Sequence, residues 1–332
     1  MVKQELGTIT RVSKDDKSFW AITSFFNPTG SARRLYNYRV FRQALNLPLV
    51  TVEWSWTQGP DPQLRDDDAE ILIQISGPDL IWQKERLLNL AIKSLPMDCR
   101  YVAWLDCDVL FDDPDWHKLV AMSLEEYPLV QPYDTLVNLG PDGQPLQVDK
   151  LGGQVRRPIG NPSVRASIPR DSLRHELRGS SAACGYAWAG RTECLRKHGL
   201  YDACVVGSGD RAIFCAAIGS FADAAAYMRM NSSRFSHYMS WADPFYKDIT
   251  GRTGWISGQM RNLWHGSILD RKYEQRHIAF EAYDLDPVQD LEIDEAGCWR
   301  WATDKPEMHA FVVDYFFGRN EDGEQVLPLT LL

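Results

Sequence analysis

Apolar positions along the chain fall into short continuous runs separated by stretches with helical spacing. Phe19-Trp20-Ala21-Ile22-Thr23-Ser24-Phe25-Phe26 reads as a buried first strand, broken by the turn cluster Asn27-Pro28-Thr29-Gly30. Leu35, Tyr38, Phe41, Ala44 and Leu45 then share one face of a predicted helix. Leu49 to Trp54 is a second strand, residues 61–68 a polar acidic loop, and Ile71 to Ile75 a third strand. Residues 82–95 return to helical periodicity through Leu87, Leu88, Ala91 and Leu95, with Pro96 as the stop. The next apolar run, Tyr101 to Phe111, reads as a buried strand carrying Asp106 and Asp108. Strand, helix, strand, strand, helix, strand predicts an α/β sheet with a Rossmann-like, mainly parallel core. Ligand sites in such sheets lie at the carboxyl ends of the strands, where these two aspartates fall.

Beyond a helix expected near Pro114 and a strand at Leu129 to Tyr133, the pattern fades over residues 138–180, which glycines and prolines punctuate. Long irregular segments inside compact domains are commonly functional or mobile. From Lys150 to Arg178 basic residues outnumber Asp171 and Glu176, so this stretch either faces a phosphorylated ligand or is a solvated loop. Periodicity resumes with a short helix at Glu193-Cys194-Leu195. A second helix carries Ile213, Phe214, Ala217 and Ile218, capped by Ser208 and ended by Gly219. Trp241, Phe245, Tyr246 and Trp255 among Gly251, Gly254 and Gly258 suit a mobile aromatic lid or ordinary loop packing. The acidic tail 286–332 carries Trp299, Trp301, Phe311, Val312, Tyr315 and Phe316, enough apolar surface to dock on the body, and ends in an apolar run at 327–332.

Length and composition narrow the class. A chain of 332 residues can bury one large α/β core or two small ones, and 44% hydrophobic with 24% charged residues is ordinary for a soluble globular protein. A net charge of −9 argues against a general nucleic-acid binder. The 7 cysteines are odd in number and form no C-x-x-C pair, which fits a reducing cytoplasm better than a disulfide framework. Neither an apolar signal region nor a membrane-length apolar run is present, so the expectation is a soluble cytoplasmic protein. The 12 tryptophans and 13 tyrosines leave aromatic planes for stacking on sugars or bases.

Candidate chemistry lies in the same stretches. On an extended chain Asp106 and Asp108 point to one side, and carboxylates that close imply a cation or coupled acid–base chemistry. Mg²⁺ or Mn²⁺, shared with substrate phosphates, suits oxygen ligands, the structural alternative being a solvated strand end that caps the next helix; His265 is either a structural histidine or a neutral imidazole that joins carboxylates at Mn²⁺. Asp210 falls in the first turn of its helix, beside a glycine-rich turn. The helix dipole alone accounts for an acid there; a rigidly held general base is the functional alternative.

Together these stretches resemble metal-dependent glycosyltransferases of the GT-A fold, particularly the β-1,4-galactosyltransferase and polypeptide GalNAc-transferase group, over roughly residues 19–277. Trp82 to Asn89 is similar to the helix that precedes the family's D-x-D motif and helps hold the nucleotide, with Trp82 and Lys84 in place of the usual aromatic and arginine. Asp106-Cys107-Asp108 matches D-x-D, and Trp264-His265-Gly266 is similar to the segment supplying a further metal ligand. Gly185 to Asp210 resembles the glycine-led acceptor segment, though Val206-Gly207-Ser208-Gly209-Asp210 lacks the tryptophan and one acid of its G-W-G-x-E-D ending.

The resemblance implies a GT-A domain over 1–285, with a donor half at about 19–135 and an acceptor half at about 180–277, and an extension over 286–332 packed on it. It implies Mn²⁺ (or Mg²⁺) on Asp108 and His265, with Asp106 reaching the metal through water or holding the ribose. Thr23, Lys84, Arg86 and Asp106 would bind the nucleotide, Asp210 would be the base, and Gly185, Tyr186, Trp188 and Trp255 would meet sugar or acceptor. The implied reaction is inverting transfer from a nucleotide-sugar, a UDP-sugar first, to an acceptor hydroxyl. A nucleotidyltransferase and a non-catalytic sugar-binding module are the alternatives. Pyrophosphate release marks the first, and absence of metal-dependent turnover the second.

Overall fold

The computed structural model describes residues 18–148, 157–158, 160–167 and 182–323; residues 1–6, most of the basic stretch 150–178 and the apolar run 327–332 lie outside the described residues. The first half reads β1 (Phe19–Phe26), α1 (Ala32–Ala44), β2 (Leu49–Trp56), β3 (Ile71–Gly77), α2 (Lys84–Ser94), β4 (Tyr101–Leu105), β5 (Val109–Phe111), α3 (Trp116–Glu126), β6 (Leu129–Gln131) and β7 (Thr135–Asn138). It continues with β8 (Gly160–Pro162), β9 (Ala187–Arg191), α4 (Thr192–His198), α5 (Gly209–Ile218), α6 (Phe221–Tyr227) and α7 (Ser232–Ile249). The last elements are β10 (Thr253–Trp255), β11 (Gln259–Asn262), α8 (Gln275–Phe280), β12 (Leu291–Ile293), β13 (Trp299–Trp301) and α9 (Pro306–Phe317).

A 7-stranded sheet in the order β10-β6-β9-β4-β1-β2-β3 forms the centre of a Rossmann-like α/β fold. Its strands run parallel except β9, which pairs antiparallel with both β4 and β6. The sheet is covered on both faces, as a mainly parallel sheet must be. Alternation along β1 sends Ala21 and Phe25 to one face with Tyr38, Phe41, Val120 and Leu124. Ile22 goes to the other, with Leu87, Leu88 and Ala91 of α2 and Phe214 of α5. The chain runs outward from β1 through β2 to β3, then returns to β4 on the other side of β1. That reversal opens a crevice at the carboxyl ends of β1 and β4.

Two departures from the sequence expectation bear on the site. The Tyr101–Phe111 run is not one strand: β4 stops at Leu105, residues 106–108 turn, and β5 joins a second sheet of order β8-β7-β11-β5. Asp106 and Asp108 therefore sit on a turn, and strand alternation is not what brings them together. The expected aromatic lid is instead α7, with Tyr238 and Phe245 buried and Trp241 stacked on Phe245, followed by β10. Pro244 lies inside α7 and disguises its periodicity.

The C-terminal residues lie against the body through specific contacts. Gln83 holds the Trp299 backbone, accepting from its N–H at 2.8 Å and donating to its carbonyl at 3.1 Å, while Asp79 accepts from Trp301 N–H at 3.0 Å. No helix among the described residues is long and apolar enough to cross a membrane.

Candidate active site

Strand pairing builds the site. β9 runs beside β4 with Ala187 opposite Leu105, so Tyr186 C=O accepts the Asp106 N–H at 2.7 Å. Tyr186 itself has φ 76, the left-handed region that a bulky residue seldom occupies, and the Tyr133 hydroxyl fixes the preceding Gly185 carbonyl at 2.8 Å. β5 pairs with β11, Val109 opposite Asn262, and Leu263 N–H donates to Asp108 C=O at 2.8 Å. Two residues further on, His265 Nδ1 stands 3.1 Å from Asp108 Oδ2 and 2.9 Å from Leu263 C=O.

From the opposite wall, α2 starts at Lys84 and α5 at Gly209. The Lys84 ammonium bridges Asp106 Oδ1 at 2.5 Å and Asp210 Oδ2 at 2.8 Å. Gly185 permits this approach, since a Cβ there would lie 2.9 Å from Asp210 Oδ2. All these groups line one cavity of about 390 Å³.

Burial pushes the Asp106, Asp108 and Asp210 carboxyls up, against the pull of Lys84 on each and of Arg34 on the first two. Burial alone would lower Lys84; Asp106 and Asp210 outweigh it and hold the ammonium well above the ordinary lysine value. Behind Gly209 lies Glu85, 1% exposed. A Cβ on Gly209 would meet its carboxyl at 2.2 Å, so only glycine lets α5 begin there. Burial, opposed by Lys84 and reinforced by Asp210, pushes Glu85 up to about 8.

An acid raised in the fold keeps a proton that the unfolded chain releases near its ordinary 4.5, so its contribution to stability falls as pH rises from about 4.5 to about 8. Glu85→Gln is therefore expected to gain stability relative to the wild type between about pH 5 and about pH 8 in urea unfolding. Parallel pH profiles for the two proteins would refute a buried, protonated Glu85.

Lys84, Asp106, Asp108, Gly185, Tyr186, Asp210 and His265 thus meet in one cavity. Four other expected contributors lie elsewhere. Thr23 is inside the sheet, its hydroxyl donating to Leu105 C=O at 2.7 Å. Arg86 follows Lys84 by two helical positions and so leaves on another face, where it bonds Gly297 C=O at 2.5 Å and Asp202 at 3.2 Å. Trp188 is a core residue stacked on Trp104, because the left-handed turn at Tyr186 breaks the alternation that would have aligned the two rings. Trp255 sits on β10 at the sheet edge with the Arg165 guanidinium 4.9 Å from its ring, away from the cavity. Ser208 occupies the cap position of α5 without capping it; its hydroxyl pairs with His277 Nε2 and Arg276, each at 2.8 Å.

Sequence reasoning gave no role to the arginines. Arg34, Arg271, Arg276 and Arg319 all line the cavity, with Glu321 between Arg34 (3.1 Å) and Arg319 (2.8 Å). Those two cations outweigh burial and hold the Glu321 carboxyl down at about 2. One signal was available: Arg33 and Arg34 occupy the first turn of α1, where the helix dipole disfavours cations.

No family model matches the chain, and no curated protein matches it in sequence. Among solved structures, it is similar to 4-diphosphocytidyl-2C-methyl-D-erythritol synthase from Anaerococcus prevotii, at 9% identity and a TM-score of 0.31 over 74% of this chain and 89% of that one. A likeness that remote carries no information about chemistry.

Proposed function

We propose that the protein is an inverting, metal-dependent glycosyltransferase, taking a sugar from a nucleotide-sugar, a UDP-sugar first, to an acceptor hydroxyl. The observation that carries this reading is the convergence of Lys84, Asp106, Asp108, Asp210 and His265 on one cavity at the carboxyl ends of β1 and β4. The donor set suits a hard divalent ion. Asp108 and His265, whose Oδ2 and Nδ1 are 3.1 Å apart, would hold it once Nδ1 gives up the proton it shares with Leu263 C=O. The described residues hold no cluster of three or more His, Cys, Asp or Glu side chains ready for a metal, so phosphate oxygens and water would complete the shell. Such an ion, Mn²⁺ or Mg²⁺, supplies Lewis-acid stabilisation to the departing diphosphate.

The chain's own residues supply the rest. Lys84 holds Asp106 and Asp210 in place, and its charge opposes the burial that raises the Asp210 carboxyl. Asp210 takes the proton of the acceptor hydroxyl as that oxygen attacks the sugar carbon and the bond to the diphosphate breaks; Glu85, behind Gly209, does not line the cavity. Gly185 and Tyr186, which line the cavity beside Asp106, would meet the acceptor.

The test is nucleoside diphosphate release from UDP-, GDP- and ADP-sugars, with Mn²⁺ and with EDTA. Slow, EDTA-sensitive turnover of one donor is expected. Release of pyrophosphate from a nucleoside triphosphate would move the reading to a nucleotidyltransferase, and silence across the panel to a binding module.

A further inference from the structure

The acidic half of the cavity is matched by a basic half to which no role has been given. Arg276 and Arg319 are both 5% exposed, yet both line the cavity. Their guanidinium carbons lie 5.9 and 5.1 Å from the Trp82 ring and 5.7 and 5.9 Å from the Tyr315 ring. Trp82 in turn stacks on Phe316 at 6.1 Å and 17°. Aromatic faces on this scale hold planar cations in a fixed orientation.

Their hydrogen-bonding capacity is left incomplete. Arg276 donates to the Tyr315 hydroxyl at 2.6 Å and the Ser208 hydroxyl at 2.8 Å, both uncharged oxygens. Arg319 shares Glu321 with Arg34. The Nε–H groups of Arg34, Arg276 and Arg319 are buried with no partner among the described residues. Buried donors left unpaired, and buried cations short of counter-charge, are costly unless a ligand completes them. The field is positive enough that Arg319 and Arg276 outweigh burial at Tyr315 and lower its hydroxyl below the ordinary tyrosine value.

This wall is fastened to the site from the C-terminal side. Beyond Glu321, Asp322 Oδ1 accepts from the Ser31 hydroxyl at 2.7 Å and from Arg33 N–H at 2.9 Å, capping the start of α1. A Cβ on Gly266, next to His265, would come within 2.7 Å of Asn320 C=O, so the segment also packs closely on the His265 loop.

We propose that Arg276 and Arg319 form the subsite for the diphosphate of the ligand, and that residues 316–321 of the C-terminal extension are a working wall of the binding cavity. The assignment of a nucleoside diphosphate rests on the transferase reading; the anion subsite itself does not. Guanidinium forks fit phosphate oxygens in paired hydrogen bonds, and the Nη groups, which meet only two hydroxyls and one shared carboxylate, keep donors to make them.

The experiment is calorimetric titration of the full chain with inorganic pyrophosphate in EDTA, comparing wild type with Arg276→Gln, Arg319→Gln and Arg319→Lys, and with a thermal melt of each. Wild type is expected to bind, each glutamine variant to bind about 10- to 100-fold more weakly, and lysine to recover part of the loss. A purely structural role would lower the melting temperature without moving affinity. Wild-type affinity in both glutamine variants, or no binding by the wild type at millimolar pyrophosphate, overturns the proposal. Should Arg319→Gln fail to fold, Arg276→Gln carries the same test. Donor turnover with normal pyrophosphate affinity in the variants would sink the subsite and spare the transferase. Arginine-dependent pyrophosphate binding with a silent donor panel would do the reverse.

Discussion

Replacing Lys84 with methionine is expected to destabilise the protein by about 3–5 kcal/mol and to abolish donor turnover. The ammonium bridges Asp106 at 2.5 Å and Asp210 at 2.8 Å, with its side chain only 14% exposed. Methionine preserves the stem and its packing but leaves two desolvated carboxylates facing each other, with Glu85 behind them. Breaking a buried ion pair from one side is far more harmful than replacing both partners. The loss should depend on pH. Without Lys84 the carboxyl pKa values rise further, so protonation relieves the repulsion at low pH, and the deficit is larger at about pH 8 than at about pH 5. Urea unfolding at the two pH values, with nucleoside diphosphate release alongside, measures both effects. A variant as stable as wild type at either pH would mean that Lys84 points into solvent and organises nothing.

The legible part of this molecule is the part specified by local pattern. β1, α1, β2, β3 and α2 lie where apolar spacing predicts, because each buries a face that its own residues define. The β4–β5 break was not legible. Apolar character continues through Val109–Phe111, and nothing in a run of apolar residues tells which sheet it will join. Asp106, Asp108, Asp210 and His265, singled out in the sequence, line one cavity, but the sequence could not supply their neighbours. Arg276 and Arg319 lie far apart in the chain, on α8 and just beyond α9, and no local pattern says that both will face the same cavity. The misplaced residues fail for equally local reasons. Arg86 is on the wrong side of a helix, and Trp188 follows a left-handed residue that no propensity predicts. Charge adds a global lesson: a net −9 chain still gathers Arg34, Arg271, Arg276 and Arg319 around one cavity, so overall acidity says little about the ligand's sign.

Asp210→Asn separates binding from chemistry. The amide keeps the shape of the carboxylate and an oxygen that can face Lys84 Nζ, and it introduces no volume against Gly185, whose missing Cβ makes the space. Donor binding, which the reading assigns to the arginine wall, Asp106 and Asp108, should survive within a few-fold. Transfer should fall by about 10²–10⁴, the usual worth of a positioned general base. Burial pushes the Asp210 carboxyl up while Lys84 pulls it down, so the base ionises above the ordinary aspartate range. Wild-type turnover should therefore rise with pH on its acidic limb, and the residual rate of the asparagine variant should lose that limb. Titration with a nucleoside diphosphate, together with a pH–rate profile for each protein, distinguishes the outcomes. If the variant transfers sugar at the wild-type rate, Asp210 is only the counter-ion that holds Lys84 against Asp106. The proton would then leave by another route, and Asp106, the other carboxylate within reach of the same ammonium, would become the candidate base.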